Sequence, residues 1–341
     1  MKYIISAIIL FTIGFFMNAQ EFFFENKKIP LNTRFDTLIT IGDKVKTEIP
    51  VTVINGKQKG PVLGIITWNH GYDYSQIIAI QKLIQKANPH EIKGTLLIVN
   101  IPNVPSLMSR VSYVDLMKSK NLNKSSSKNE KETEQIREFI TKKIINRCNY
   151  LVHMCTGDAY DDIIPYAGFY NYYSDVQLSE ITKAMAQNMG FNYVVALGNN
   201  EKFVNDSKYT SRKGKYQHIP TVFIECGSMR QEEGKEVYDL NKALNNLMIY
   251  LQMQQGVKSN IPSILIEEKE NIISNSDGIF YSDVKAGDHV KKGQKIGYIT
   301  DFFGNKLEEI KAVVSGVVLY KIGTLPVKKG DQLFDIGIIY M

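Results

Sequence analysis

Gly60-Pro-Val-Leu-Gly-Ile-Ile-Thr-Trp-Asn-His-Gly-Tyr-Asp-Tyr74 runs from an apolar stretch directly into a polar turn that carries a histidine and an aspartate. The run Pro61–Thr67 is short, continuous and β-branched, and Asn-Gly precedes it at 55–56, which is the pattern of a buried strand. Ser75 to Lys86 follows with Ile77, Ile78, Ile80, Leu83 and Ile84 on one helical face. The unit is therefore strand, turn, helix. In open α/β sheets the chemistry sits beyond the carboxyl ends of the strands, where His70 and Asp73 fall.

The same alternation extends outward on both sides. Val51–Ile54, Thr95–Asn100, Tyr150–Cys155, Tyr193–Leu197 and Thr221–Glu225 read as strands; Glu132–Asn146, Leu178–Met189 and Glu233–Gln254 read as amphipathic helices. Strands alternating with helices predict an α/β fold with a mostly parallel sheet covered on both faces. After Gly256 the pattern changes to short β-branched runs punctuated by glycine, with a near-repeat. Asp277-Gly-Ile-Phe-Tyr281 leads to Val290-Lys-Lys-Gly, and Ser315-Gly-Val-Val-Leu319 leads to Val327-Lys-Lys-Gly. Two such copies predict interlocking β units in a small all-β sandwich or barrel. We place a catalytic domain over residues 20–256 and a β domain over 262–341.

Three strand ends carry chemistry. His70 and Asp73, three residues apart, can converge on one cation. In His153-Met154-Cys155 the first and third side chains share a face, because strand side chains alternate, so either can supply a further ligand. Glu225 closes the apolar strand Thr221–Glu225. A bare carboxylate is costly to bury there, and beside a metal-bound water it would act as general base and then acid.

Composition bounds the rest. Lys2, the apolar run Tyr3–Met17 and Asn18-Ala19-Gln20 form a secretory signal peptide over residues 1–19, which predicts export. The run is short for a bilayer span, so no stable membrane insertion is expected after cleavage, and no cysteine follows it to carry a lipid. Cys148, Cys155 and Cys226 are too few for a disulfide scaffold, and their odd number leaves a free thiol. The net charge of +6 is concentrated between Lys118 and Arg147, in a Ser/Asn/Lys-rich loop and the helix after it. Without interleaved aromatics this is not a nucleic-acid surface; it is a solvated loop or a basic rim that attracts small anions. His90, His218 and His289 sit in turns and read as surface residues.

These motifs, taken together, resemble the succinylglutamate desuccinylase/aspartoacylase family. Gly60-Pro and Asn69-His70-Gly71-Tyr72-Asp73 are similar to its opening Gly-Pro…His-Gly-Asp-Glu. Gly94–Asn103 with Pro105 resembles its next strand and Asn-Pro turn, and Asn121-Leu-Asn-Lys124 its Asp-Leu-Asn-Arg. Asn149–Gly157 resembles its Asp-Leu-His-Thr-Gly strand, and Ile219–Gly227 its glutamate strand. The resemblance implies a zinc-carboxypeptidase-like fold and hydrolysis of the amide bond of N-acyl amino acids, with one zinc ion as cofactor and a small anionic substrate as partner. It assigns the metal to His70, Asp73 and Cys155, with His153 as the alternative to Cys155. It makes Glu225 the catalytic base and gives substrate binding to Arg110, Asn123 and Lys124.

The chain departs from the family pattern in ways that matter. Asp73 stands for Glu, Cys155 for the second His and Lys124 for Arg. A His/Asp/thiolate set gives the ion two negative charges where His/Glu/His gives one, which makes it a weaker Lewis acid. Lys124 grips a carboxylate as a point charge, without the guanidinium fork. A deacylase and a catalytically silent binding protein of the same fold therefore both fit the sequence. A carrier domain of the biotinyl kind does not: Gly304–Lys311 has no Met beside either lysine.

Overall fold

The structure is a computed structural model, and it describes residues 22–42, 46–67, 71–110, 131–157, 161–171, 175–198, 219–227, 234–259 and 261–340. Its strands in chain order begin with a short hairpin of β1 (Phe22–Phe24) and β2 (Lys27–Ile29). They continue with β3 (Thr33–Ile41), β4 (Thr47–Asn55), β5 (Gln58–Thr67), β6 (Lys93–Val99) and β7 (Tyr150–Cys155). Then come β8 (Asp162–Ile163), β9 (Tyr166–Phe169), β10 (Tyr193–Ala196), β11 (Thr221–Glu225) and β12 (Ile264–Ile266). The helices among them are α1 (Tyr74–Lys86), α2 (Val104–Ser109), α3 (Lys131–Phe139), α4 (Val176–Gln187) and α5 (Lys235–Tyr250).

Nine of these strands form one mixed sheet in the order β12-β10-β9-β11-β7-β5-β6-β4-β3. Its centre, β11-β7-β5-β6, is parallel. β4 and β3 add an antiparallel edge, and β9 runs antiparallel to β11. The sheet is thus mixed and mostly parallel, as expected, with its antiparallel pairing at the β3-β4 edge and between β9 and β11. Each face is covered by its own apolar cluster. Ile65, Leu96, Val152 and Ile224 meet α1, α4 and α5 through residues such as Ile80, Met185 and Leu244. Ile66, Leu97 and Leu151 on the other face meet Ile136, Phe139, Ile144 and Ile145 with Phe24 and Ile29.

The helix read over Glu132–Asn146 is α-helical only to Phe139. Ile140–Ile144 then widens into a π turn and Ile145–Arg147 tightens into a 3-10 turn. Two successive isoleucines, Ile144 and Ile145, are both fully buried there, and the change of pitch at the turn is where that pair meets the sheet. At Gly94, φ is +90°, and an added Cβ would stand 2.2 Å from the Pro61 carbonyl oxygen. Gly94→Ala combines backbone strain with a backbone clash. It is expected to lower stability by about 2–5 kcal/mol, read from the urea midpoint at constant m.

The C-terminal strands are β13 (Lys269–Ile273), β14 (Gly278–Ser282), β15 (His289–Val290), β16 (Lys295–Thr300), β17 (Lys306–Lys311), β18 (Gly316–Lys321), β19 (Pro326–Val327) and β20 (Gln332–Ile338). They make two sheets, β13-β20-β18-β15 and β17-β16-β14-β19, around Phe280, Ile299, Val318 and Phe334. The repeated Val-Lys-Lys-Gly segments are the turns after β15 and β19. β12 lies beyond Gly256 in the chain, yet it joins the large sheet beside β10.

Candidate functional site

The site lies where β7 and β11 end. Parallel pairing sets Phe223 beside His153 and Glu225 beside Cys155, so the two polar groups at the ends of these strands share a face. The Cys155 thiol donates to Glu225 Oε1 at 3.2 Å. Burial, first, and then the charge and hydrogen bond of Glu225, with Asp73 a smaller contributor, push that thiol well above its usual range. β9 closes the other side, with Tyr166 paired to Glu225 in the antiparallel register. Burial and the Glu225 charge hold the Tyr166 phenol protonated, so it can only donate to an acid beside it.

Asp73 comes to the same edge from β5. It occupies the N-cap of α1, where an aspartate ordinarily accepts a backbone N–H of its own helix, but it makes no such cap. Its fully buried carboxylate instead accepts the Thr156 hydroxyl at 2.9 Å, reaching across to the residue after Cys155. The helix gives up a cap worth about 1 kcal/mol, which is the kind of local rule broken where a side chain is wanted elsewhere.

Gln76 ties these elements together. Its amide, fully buried on the inner side of α1, donates to the Cys155 carbonyl at 2.9 Å and to the Cys226 carbonyl. One side chain thus fixes the ends of both strands that carry Cys155 and Glu225 to the helix headed by Asp73. Gln76→Leu takes the side-chain donor from the Cys226 carbonyl and one of two donors from the Cys155 carbonyl, which keeps the Cys226 N–H at 3.1 Å. The expected cost is about 2–4 kcal/mol in thermal or urea unfolding, with turnover falling more than the stability loss alone accounts for.

Other expected site residues fall as follows. His70, Asn123 and Lys124 lie outside the described residues. His153 is buried with its ring edge-on to Phe223, centroids 5.4 Å apart, and burial lowers its pKa to about 4, so it is neutral at physiological pH. Arg110 ends α2 in a left-handed C-cap, φ 56°, with its side chain exposed. Because β6 is parallel to β5, the segment after β6 that holds Arg110 leaves the sheet at the same edge as Asp73. Cys148 and Cys226 are free and buried, and burial raises the Cys148 thiol to about 12. A cleft of 1090 Å³ lined by Lys59, Lys93 and Arg147 opens at the opposite ends of β5 and β6, away from Glu225.

Sequence reasoning missed Gln76, Thr156 and Tyr166. Gln76 was detectable, since it stands three residues after Asp73 and so over the same helical face. Tyr166 had no local signal, because its place depends on β9 pairing with β11.

Among the described residues no three His, Cys, Asp or Glu side chains gather closely enough to hold an ion. Asp73 and Cys155 supply a carboxylate and a thiol at one edge, and His70 stands three residues before Asp73 in the sequence. In donor chemistry this set, two hard-to-borderline groups and one sulfur, fits zinc.

A mixed sheet with acids and a thiol at its carboxyl edge, followed in the chain by further β sheets, defines the class: a mixed α/β protein with a C-terminal β region. The chain belongs to the succinylglutamate desuccinylase/aspartoacylase family: the model of that family's catalytic domain matches residues 59–251. Over 296 residues it is 23% identical to the N-alpha-acetyl-L-2,4-diaminobutyric acid deacetylase of Halomonas elongata, covering 84% of each chain. Its fold is similar to that of the product-bound ectoine utilization protein EutE (DoeB) of Ruegeria pomeroyi. That likeness has a TM-score of 0.79 at 20% identity and covers 91% of this chain and 98% of the other. A succinylglutamate desuccinylase/aspartoacylase from Rhodobacter sphaeroides is similar too, with a TM-score of 0.79 at 19% identity, covering 92% and 98%.

Proposed function

We propose that this chain is an exported, zinc-dependent deacylase, built on the zinc-carboxypeptidase plan, that hydrolyses the amide bond of N-acyl amino acids or similar small anionic amides. The observation that carries the reading is Glu225, a carboxylate at a strand end with Cys155 on one side and Tyr166 on the other. His70, Asp73 and Cys155 would hold the ion. A bound zinc supplies Lewis acidity toward the substrate carbonyl and a water of lowered pKa. Glu225 takes a proton from the attacking water and returns it to the leaving nitrogen. Tyr166, kept protonated, donates toward Glu225 and holds its carboxylate in place. Arg110, Asn123 and Lys124 orient the carboxylate of the amino acid.

Amine release from N-acetyl-L-2,4-diaminobutyrate, N-succinylglutamate and N-acetylaspartate by zinc-loaded protein tests the reading. A second reading has its own support: while Cys155 donates to Glu225, the base is engaged. A silent protein of this fold would bind these ligands, seen as a rise in melting temperature, and release no amine.

A further inference from the structure

We infer that the C-terminal β region shapes the catalytic wall directly, by holding residues 161–164, which lead into Tyr166, with Tyr320 and Asp161 as positioning residues. The link rests on β8. This two-residue strand comes from the middle of the large-sheet region, yet it pairs with β18 in the C-terminal sheet, Ile163 with Tyr320 and Asp162 with Lys321. The Ile164 N–H donates to the Leu319 carbonyl at 3.1 Å, and the Asp162 carboxylate accepts the Ala286 N–H at 3.0 Å. The Tyr320 hydroxyl donates to Asp161 Oδ1 at 3.1 Å. Beneath these bonds Ile164 shares one buried cluster with Val195 and Ile266 of the large sheet and Val317 and Leu319 of β18.

What this connection holds is decided by its two ends. On the near side it follows from Cys155, and on the far side it runs into Tyr166 two residues after Ile164. Both end residues are the register partners of Glu225, one in each neighbouring strand. Glu225 therefore sits between β7 and β9, and the residues that lead into β9 are clamped to the C-terminal sheet. β9 pairs with β11 along its whole length but with β10 only over Ala167–Phe169, so Tyr166, at its start, has a strand on one side alone and takes further support from the clamped residues just before it. A positioned base needs its neighbours fixed within a fraction of an ångström.

The catalytic half of this inference rests on the deacylase reading, and the test separates the two. Full-length protein is compared with Tyr320→Phe, Asp161→Ala and Asp161→Asn, the last keeping an oxygen that accepts the Tyr320 proton. Hydrogen exchange by mass spectrometry is read over 161–169 and 221–227, and kcat and KM are read on the deacylase substrates. Tyr320→Phe and Asp161→Ala are expected to speed exchange about tenfold over 166–169 and 221–227 as well as at 161–164, and to lower kcat about fivefold with KM within twofold. Asp161→Asn is expected to stay within twofold of the parent in every readout. Faster exchange confined to 161–164, with 166–169 and 221–227 as in the parent, overturns the inference whatever the turnover. Exchange that spreads in a protein with no turnover of any substrate leaves the clamp standing and refutes the deacylase reading alone.

Discussion

Glu225→Gln is expected to lower kcat for N-acyl amino acid hydrolysis by about 10³-fold, within the range a positioned general base contributes. KM should change little, because the amide keeps the shape and the hydrogen-bonding oxygen of the carboxylate and loses only its capacity to take a proton. The side chain is half-buried at the end of β11, and its oxygen accepts from the Cys155 thiol. The Gln oxygen can accept the same bond, so the melting temperature should stay within about 2 °C of the parent, a shift that corresponds to under 1 kcal/mol for a protein of this size. Zinc content should be unchanged as well. Steady-state kinetics, differential scanning fluorimetry and metal analysis on the same preparation check all three. A variant that retains more than a tenth of the parent's kcat would remove Glu225 from the proton-transfer role and with it the mechanism given above.

Much of this site was legible in the sequence, for a specific physical reason. β5, β7 and β11 are buried on both faces of a parallel sheet, so each reads as an uninterrupted apolar run; the runs of β7 and β11 stop visibly at Cys155 and Glu225, and Asp73 follows β5 at the head of α1. The strand ends and the acids they carry could be read one element at a time. β9 could not. Its run is interrupted by Pro165 just before it and by Gly168 within it, both signs of a turn. Gly168 is there because the Leu197 side chain fills the space of a Cβ, at 2.7 Å, and β9 is a strand because β11 and β10 flank it. The antiparallel edge strand β3 hides for another reason: its residues alternate between half-buried and exposed, and polar residues fill many of the positions. The link between β8 and β18 is longer-range still, joining Ile163 to Tyr320 and Asp162 to Lys321, and nothing in either segment alone announces it.

Asp73 and Cys155 make the second large prediction, and they make it independently of each other. Asp73→Asn is nearly isosteric, and the Asn oxygen can accept the Thr156 hydroxyl as the carboxylate does at 2.9 Å, so the fold around the head of α1 should hold. What is lost is one anionic donor to the ion. Cys155→Ser similarly keeps a small hydroxyl able to donate to Glu225 while removing the sulfur. Each change is expected to weaken zinc binding by about 100-fold or more, since a zinc site depends on the number, charge and type of its ligands, and to bring turnover close to the metal-free rate. Zinc per chain, measured by atomic absorption after dialysis against a chelator of graded strength, should fall from one to near zero at a chelator concentration that leaves the parent loaded. The pattern also decides between Cys155 and His153. If Cys155→Ser keeps its zinc while His153→Phe loses it, the ligand from β7 is the imidazole, and the buried contact of that ring with Phe223 would have to open to admit the ion. If both variants keep zinc and Asp73→Asn does too, the metal site is not at this strand edge, and Glu225 has no bound water to act on there.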